Sequence, residues 1–267
     1  MTPCRQNLLR LLAFTASIIV VGLGLSAVAK LWVPLSWWVI FRRCVSIAAS
    51  VSLVVFMWRV HHQTIRSLGL GPWNPLGRRH FIRGALLGCG TIALMAAIYL
   101  GSGICRIGIH PDTTRVWMTL LAFIPAAGLI GVLEELIFRG YILQQLMACS
   151  KWLAVAGSSA AYAVVHLRAV PVWPQSGFEL TGLFILGVVL ALGTLRTKQL
   201  YLAIGLHASM AYWARLNKLL IAFPSHSPLQ WLVGTSRLVN GLIAWLVLGL
   251  LGLALMRDAS ARRAASS

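Results

Sequence analysis

Two adjacent glutamates and an arginine lie within an apolar stretch, in Glu134-Glu135-Leu136-Ile137-Phe138-Arg139. Carboxylates are scarce elsewhere, because the chain of 267 residues carries only five acidic side chains. Glu135 and Arg139 are four residues apart, so on a helix they share a face and can form an ion pair. Glu134 points about 100 degrees away from that face. It is therefore the carboxylate available for chemistry, such as taking a proton from water.

Placing these charges in a membrane is unfavourable. The apolar side chains between residues 124 and 141 favour insertion by about 4 kcal/mol in total, whereas each glutamate near the bilayer centre costs about 3 kcal/mol. Ionisable residues in such a segment predict a functional site. A packing or assembly network is the alternative interpretation of the two glutamates.

His166 and His207 also lie within long apolar runs. Singly, each could be a hydrogen-bonded packing residue. Together with Glu134, they could converge inside a helical bundle, where the carboxylate would activate water for peptide hydrolysis and an imidazole would orient the water or stabilise an oxyanion. Two histidines and a glutamate are also a known combination of zinc ligands. The same three residues are therefore the expected ligands if zinc is present. Since no H-E-x-x-H motif occurs, we favour chemistry without a cofactor.

These side chains must be positioned by membrane helices. Hydrophobic residues make up 59% of the chain and charged residues 10%, which is typical of a multi-pass integral membrane protein. Apolar runs predict an all-α polytopic membrane helical bundle, a single domain over residues 1–267 with about eight transmembrane helices. Pro125 is expected to start the fourth helix. The predicted spans are 8–29, 36–58, 81–100, 125–146, 152–170, 178–195, 200–223 and 231–256.

The net charge of +18 could suggest nucleic acid, but the basic residues mostly lie singly between apolar runs, so no nucleic-acid partner is expected. A positive-inside bias instead places both termini in the cytoplasm, and a bacterial inner membrane is the expected location. Gly84 and Gly88 have the spacing of a helix-packing contact, although ordinary glycine usage explains them equally well.

The five cysteines are scattered without any C-x-x-C spacing. Neither a zinc ribbon nor a disulfide framework is therefore expected. They are Cys4, Cys44, Cys89, Cys105 and Cys149.

The motifs resemble those of the CPBP family, the CAAX proteases and bacteriocin-processing enzymes, also called the Abi family of intramembrane proteases. Residues 134–139 match its first motif, E-E-x-x-x-R. Residues 162–166 match the second, F-x-x-x-H, with Tyr162 in place of phenylalanine. The third, H-x-x-x-N, is met only in part by residues 207–211, because Ala211 stands where the family has asparagine.

The resemblance covers roughly residues 124–214, the expected catalytic core, and implies an eight-helix bundle with peptidase activity. It implies that Glu134 activates water with help from His166, that His207 stabilises the oxyanion, and that Glu135 and Arg139 hold the site together. Family members are often labelled metalloproteases, so zinc is the alternative cofactor. The implied substrate is a membrane-bound or lipidated protein or peptide in the lipid bilayer, cleaved as in CAAX processing.

Ala211 is the departure that matters, because loss of one oxyanion donor can lower a rate by about 100- to 1000-fold. Tyr162, one turn before His166, is a hypothetical replacement donor; the alternative is that it only packs in place of phenylalanine. The missing asparagine also supports a second function, a catalytically impaired partner, immunity or scaffold protein. A proton-coupled transporter is a third, disfavoured because we find no internal repeat.

Overall fold

Helices make up most of the computed structural model, which describes residues 2–167, 173–223, 229–235 and 238–264. The helices are α1 (Pro3–Lys30), α2 (Trp37–Val55), α3 (Pro75–Gly101), α4 (Thr113–Glu135), α5 (Leu143–Met147), α6 (Lys151–Val164), α7 (Gln175–Thr197), α8 (Tyr201–Leu220), α9 (Gln230–Val233) and α10 (Leu242–Ala264). Short strands β1 (Arg106–Ile107) and β2 (Ile221–Ala222) pair in an antiparallel ribbon. The predicted all-α helical bundle is confirmed.

Five helices in the described part of the chain are long and apolar enough to cross a membrane. They are Pro3–Lys30, Trp37–Val60, Pro75–Gly101, Thr113–Met147 and Gln175–Thr197. Helices also occupy the other three predicted spans, but α6 has only 14 residues, and the apolar part of α10 is likewise short. The chain is an integral membrane protein, and the total of eight spans stays a prediction.

The fourth helix begins earlier than predicted. α4 starts at Thr113, where the side chain of Asp112 accepts a hydrogen bond from the backbone N–H of Arg115 (2.9 Å) and so caps the helix. Pro125 lies inside α4, so the prediction that it starts a helix is wrong. Membrane helices tolerate such a proline because neighbouring groups satisfy the carbonyl that it frees. α4 continues directly into a π-helical segment, Leu136–Ile142, and then into α5.

Two other boundaries differ from the prediction. α6 ends at Val164, and its predicted continuation falls partly on residues 168–172, outside the described part of the chain. The last span does not begin at Trp231, because the single turn of α9 is followed by Gly234 with φ +74°. That left-handed conformation suits glycine and interrupts the helix. α10 begins only at Leu242.

A disulfide joins Cys4, in the first turn of α1, to Cys149, just after α5. The expectation that the cysteines do not pair is therefore wrong for these two. Their sequence separation of 145 residues leaves no local spacing by which the pair could be found. Cys44, Cys89 and Cys105 are free thiols.

Basic residues collect at the end of the bundle where α1, α3, α6 and α8 begin, which we call the basic end. They include Arg5, Arg10, Arg59, Arg66, Arg78, Arg79, Arg83, Lys151, Arg196 and Lys198. Exposed tryptophans flank the bundle at both ends, as in the aromatic belts of membrane proteins: Trp58, Trp73 and Trp152 at the basic end, and Trp32, Trp38 and Trp117 at the other. Which side of the membrane the basic end faces stays a prediction.

Helices α3 and α8 pack against each other at their backbones. A Cβ atom at Gly84 would overlap the carbonyl group of Leu202, and one at Gly205 would overlap the backbone of α3. Gly88 faces α8 in the same way, so of the two interpretations of this glycine pair the structure shows the packing contact. The close approach fixes the position of α8, which carries His207.

Candidate active site

A buried ion pair forms where α4 passes into the π-helical segment. The Nη1 atom of Arg139 donates a hydrogen bond to Oε1 of Glu135 at 2.9 Å, and both side chains are fully buried. The pair expected from the four-residue spacing is thus present. An isolated charge at this depth would be strongly unfavourable, so each side chain depends on the other.

The ion pair of Glu135 and Arg139 connects three helices. Oε1 of Glu135 also accepts a hydrogen bond from Nδ1 of His207 on α8, at 2.8 Å. Nη2 of Arg139 donates to the carbonyl group of Gly187 on α7, at 3.1 Å. Because these groups are buried together, their hydrogen bonds are stronger than in water and fix the relative positions of α4, α7 and α8.

Glu134 occupies a different environment, with 28% of its side chain exposed. Its Oε2 atom lies 3.6 Å from Nε2 of His207 and 3.9 Å from Nε2 of His166. Both distances exceed that of a hydrogen bond. Among the described residues, Oε2 has no hydrogen-bond partner. This buried carboxylate oxygen therefore lies beside two imidazoles without a hydrogen bond to either.

His166 lies just beyond α6, whose last residue is Val164. Its Nδ1 atom is 2.8 Å from the carbonyl oxygen of Tyr162. A carbonyl oxygen only accepts, so Nδ1 carries the proton, and in a neutral ring Nε2 presents a lone pair towards Glu134. The end of α6 therefore sets both the position and the tautomer of this histidine.

His207 is buried, with 4% of its surface exposed. Because Nδ1 donates to Glu135, Nε2 of the neutral ring is a hydrogen-bond acceptor. Nε2 lies 3.4 Å from Oη of Tyr162 in addition to its contact with Glu134. His207 can therefore donate from Nε2 only when the ring is protonated.

Tyr162 is a central member of this cluster. Its ring packs edge-on against Phe138, with 5.4 Å between the ring centroids. The guanidinium carbon of Arg139 lies 4.7 Å from the centroid of the Tyr162 ring. The ring of His166 is 4.8 Å away. Phenylalanine at this position would lack only the hydroxyl group, which is directed to His207.

The structure brings together the six side chains singled out in the sequence: Glu134, Glu135, Arg139, Tyr162, His166 and His207. The role of each in catalysis stays a prediction. Sequence reasoning missed the carbonyl group of Gly187, since a backbone acceptor leaves no signal in side-chain chemistry. A Cβ atom at Gly187 would crowd Ser159 of α6, so its small size is required for packing.

The expected zinc ligands are also in this cluster. Zinc ligands bind at about 2.0 to 2.2 Å from the metal, and Glu134 meets two imidazole nitrogens at 3.6 and 3.9 Å. Within the described residues, however, no group of three or more His, Cys, Asp or Glu side chains has the arrangement of a metal site. Zinc binding by these three residues stays a prediction.

The bundle of apolar helices carries carboxylates and imidazoles in its interior, an arrangement compatible with an intramembrane enzyme. A family model described as type II CAAX prenyl endopeptidase Rce1-like matches residues 116–213. The match includes every side chain of the cluster and confirms the resemblance to the CPBP family over this segment. At family level it supports a CAAX-type intramembrane endopeptidase. No curated protein and no solved structure matches the chain.

Proposed function

We propose that this chain is an intramembrane endopeptidase in which Glu134 activates water to hydrolyse a peptide bond of a membrane-associated protein. The observation that carries the proposal is the position of Oε2 of Glu134, which has no hydrogen-bond partner among the described residues and lies beside Nε2 of both His166 and His207. The remaining contacts of the cluster support a role for each neighbour.

Glu134 acts as the general base. It takes one proton from water, the water oxygen bonds to the carbonyl carbon of the substrate, and the carbonyl electron pair moves to the oxygen. The tetrahedral intermediate then collapses, the C–N bond breaks, and Glu134 returns the proton to the leaving amine nitrogen. His166 orients the water, because the lone pair of its Nε2 accepts a hydrogen bond from the second O–H group, whose proton stays on the attacking oxygen.

His207 stabilises the oxyanion in its protonated form. Oε1 of Glu135 lies 2.8 Å from Nδ1 of His207. The carboxylate on Nδ1 stabilises the charged ring, as in other carboxylate–imidazole pairs. Nε2–H then becomes a donor towards the developing oxyanion.

Tyr162 supplies the second oxyanion donor in place of the asparagine that Ala211 replaces. Once Nε2 of His207 is protonated, it no longer accepts from the tyrosine hydroxyl, which becomes free to donate to the substrate oxygen. Ser209 does not take this role, because its hydroxyl donates to the carbonyl group of Leu206 at 2.9 Å. Glu135 and Arg139 act by positioning His207 and Tyr162.

The substrate is a lipidated or membrane-bound protein or peptide, cleaved beside the bilayer as in CAAX processing. The test compares membrane proteomes of cells that carry wild-type protein or Glu134→Gln. We expect one polypeptide to be shortened only by the wild type. Glu179→Gln, the same exchange on α7 outside the cluster, is the matched control. If Glu134→Gln cells process every polypeptide as the wild type does, the proposal fails.

Treatment with a chelator distinguishes metal-free hydrolysis by Glu134 from hydrolysis that depends on zinc. Hydrolysis by Glu134 alone continues after the purified protein is treated with EDTA, whereas zinc bound by Glu134, His166 and His207 would be removed and activity restored by added zinc. Loss of activity with EDTA and its recovery on adding zinc would contradict the metal-free mechanism.

Ala211 favours a second candidate, an inactive partner or scaffold of the same fold. In that case Glu134→Gln would preserve the cellular role as well as the fold. A phenotype that is lost with Glu134→Gln, while the protein remains in the membrane at the wild-type amount, contradicts the scaffold function.

A further inference from the structure

Helices α4 and α8 meet at Gly131, one turn before the paired glutamates. Gly131 is buried. A Cβ atom placed on it would lie 3.1 Å from the Cβ atom of Ala208, 3.1 Å from the backbone nitrogen of Ala208 and 3.1 Å from the carbonyl oxygen of Ile204. Carbon atoms pack best at about 3.5 to 4.0 Å. A side chain at residue 131 would therefore press against α8, whose backbone supplies two of these three contacts.

This contact lies one turn from the interactions of the proposed site. Gly131 is four residues before Glu135 and therefore shares its face of α4, while Ala208 directly follows His207 on α8. Across the same interface, Nδ1 of His207 lies 2.8 Å from Oε1 of Glu135, and Nε2 lies 3.6 Å from Oε2 of Glu134. The distance between the two helix backbones at Gly131 therefore sets the distances from His207 to both carboxylates.

Of the two helices, α4 is the one with room to move. α8 packs against the backbone of α3 on another face, at Gly84 and Gly205. The side of α4 that faces away from α8 is exposed at Met118 and Leu129. An added side chain at residue 131 would therefore displace α4, and its glutamates would move away from His207.

We propose that Gly131 is a positioning residue of the active site, because the absence of a side chain there lets α4 come close enough to α8 to place His207 beside Glu134 and Glu135. Gly131 acts through the helix that carries the general base. Its effect on the rate rests on the proposed function, whereas its effect on the position of His207 does not require hydrolysis.

The first measurement is the kinetics of Gly131→Ala, as purified protein in proteoliposomes with a farnesylated fluorogenic peptide. Relieving a carbon–carbon distance of 3.1 Å takes a displacement of about 0.4 Å. Since a misplacement of about 1 Å can cost about 100-fold in rate, we expect kcat to fall by about sixfold. KM should stay unchanged, because His207 acts on the oxyanion rather than on the bound substrate.

The second measurement reports the position of His207 without hydrolysis. The Nδ1–H proton of His207 resonates far downfield while it is bonded to Glu135, and NMR of protein with isotope-labelled histidine detects it. Its loss in His207→Gln assigns the signal. Gly131→Ala should lengthen the bond and move the signal upfield. If the wild type cleaves no peptide, the proposed function fails, but this signal still decides whether Gly131 positions His207.

Gly128→Ala is the matched control, because a Cβ atom at Gly128, on the same helix, would meet nothing within 4 Å. Neither kcat nor the signal should change in this variant. Ala208→Gly, added to Gly131→Ala, removes the carbon–carbon contact and should restore most of both. If Gly131→Ala does not accumulate in the membrane, Ala208→Val fills the same gap from α8, and the same two effects are expected.

Two results overturn the proposal. One is a wild-type kcat or an unmoved signal in Gly131→Ala, or in Ala208→Val where that variant takes its place. The other is a loss of rate that Ala208→Gly leaves unrestored, since a general loss of stability would not depend on this one contact.

Discussion

Tyr162→Phe removes a single hydroxyl group and leaves the packing of the site in place. The ring contacts with Phe138, Arg139 and His166 do not involve Oη, so phenylalanine can retain them. The lost atom is the one 3.4 Å from Nε2 of His207. The substitution therefore distinguishes a role of Tyr162 as a hydrogen-bond donor from a role in packing alone.

The expected loss is about 100-fold in kcat, the lower end of the range for one oxyanion donor, because the distance in the free protein is long for a hydrogen bond. KM should change little, since a donor that acts on the oxyanion stabilises the transition state more than the bound substrate. A packing role alone predicts a kcat close to that of the wild type.

The assay uses purified protein in proteoliposomes and the polypeptide identified by the proteome comparison, with a farnesylated fluorogenic peptide as the first probe. Tyr212→Phe is the matched control, because Tyr212 donates to the carbonyl group of Leu120 (2.9 Å) outside the site. Ala211→Asn, added to Tyr162→Phe, should restore part of the lost rate. Unchanged cleavage by Tyr162→Phe would refute the assignment of Tyr162 as a donor.

Three further outcomes are expected. Arg139→Gln leaves Glu135 buried without its partner and should lower the free energy of unfolding by about 3 to 5 kcal/mol, measured by thermal or denaturant unfolding in detergent; a loss too small to measure would contradict the pairing. Cys149 of the wild type should react with maleimide only after reductant is added, because its thiol is bonded to Cys4. In Cys4→Ser, Cys149 should react without reductant. Labelling of Cys149 in untreated wild type would disprove the disulfide. Burial and the nearby Arg10 lower the pKa of His61 from its usual 6.5. The stability that the neutral ring contributes is therefore present above pH 6.5 and is lost as the pH falls through the folded-state pKa. His61→Gln should flatten this part of the plot of unfolding free energy against pH, and an unchanged plot would contradict the role of His61.

Local spacing predicted the parts of the site that lie on one helical segment. Glu135 and Arg139 are four residues apart, and that geometry holds even where the helix changes from α to π. The bond between Glu135 and His207 joins residues 72 positions apart. It depends on how α8 packs against α4, which no periodicity in the sequence specifies.

Helix boundaries were predicted less well than the helices themselves. Pro125 resembles a helix start, yet α4 passes through it because the cap at Asp112 begins the helix earlier. A hydropathy pattern also could not distinguish the end of α6 from a longer span, so His166 was expected within the helix rather than just beyond it. This difference matters chemically, because the backbone N–H of His166 bonds to the carbonyl group of Ala163, which leaves the carbonyl group of Tyr162 to accept from Nδ1.

The bond between Cys4 and Cys149 divides the chain into a covalent ring and a tail. Every carboxylate of the proposed site belongs to the ring, whereas His166 and His207 belong to the tail. Neither part alone contains both the base and its imidazoles. The proposed site is therefore complete only when the tail helices pack against the ring, so a chain that is still being inserted into the membrane would not yet have the proposed activity.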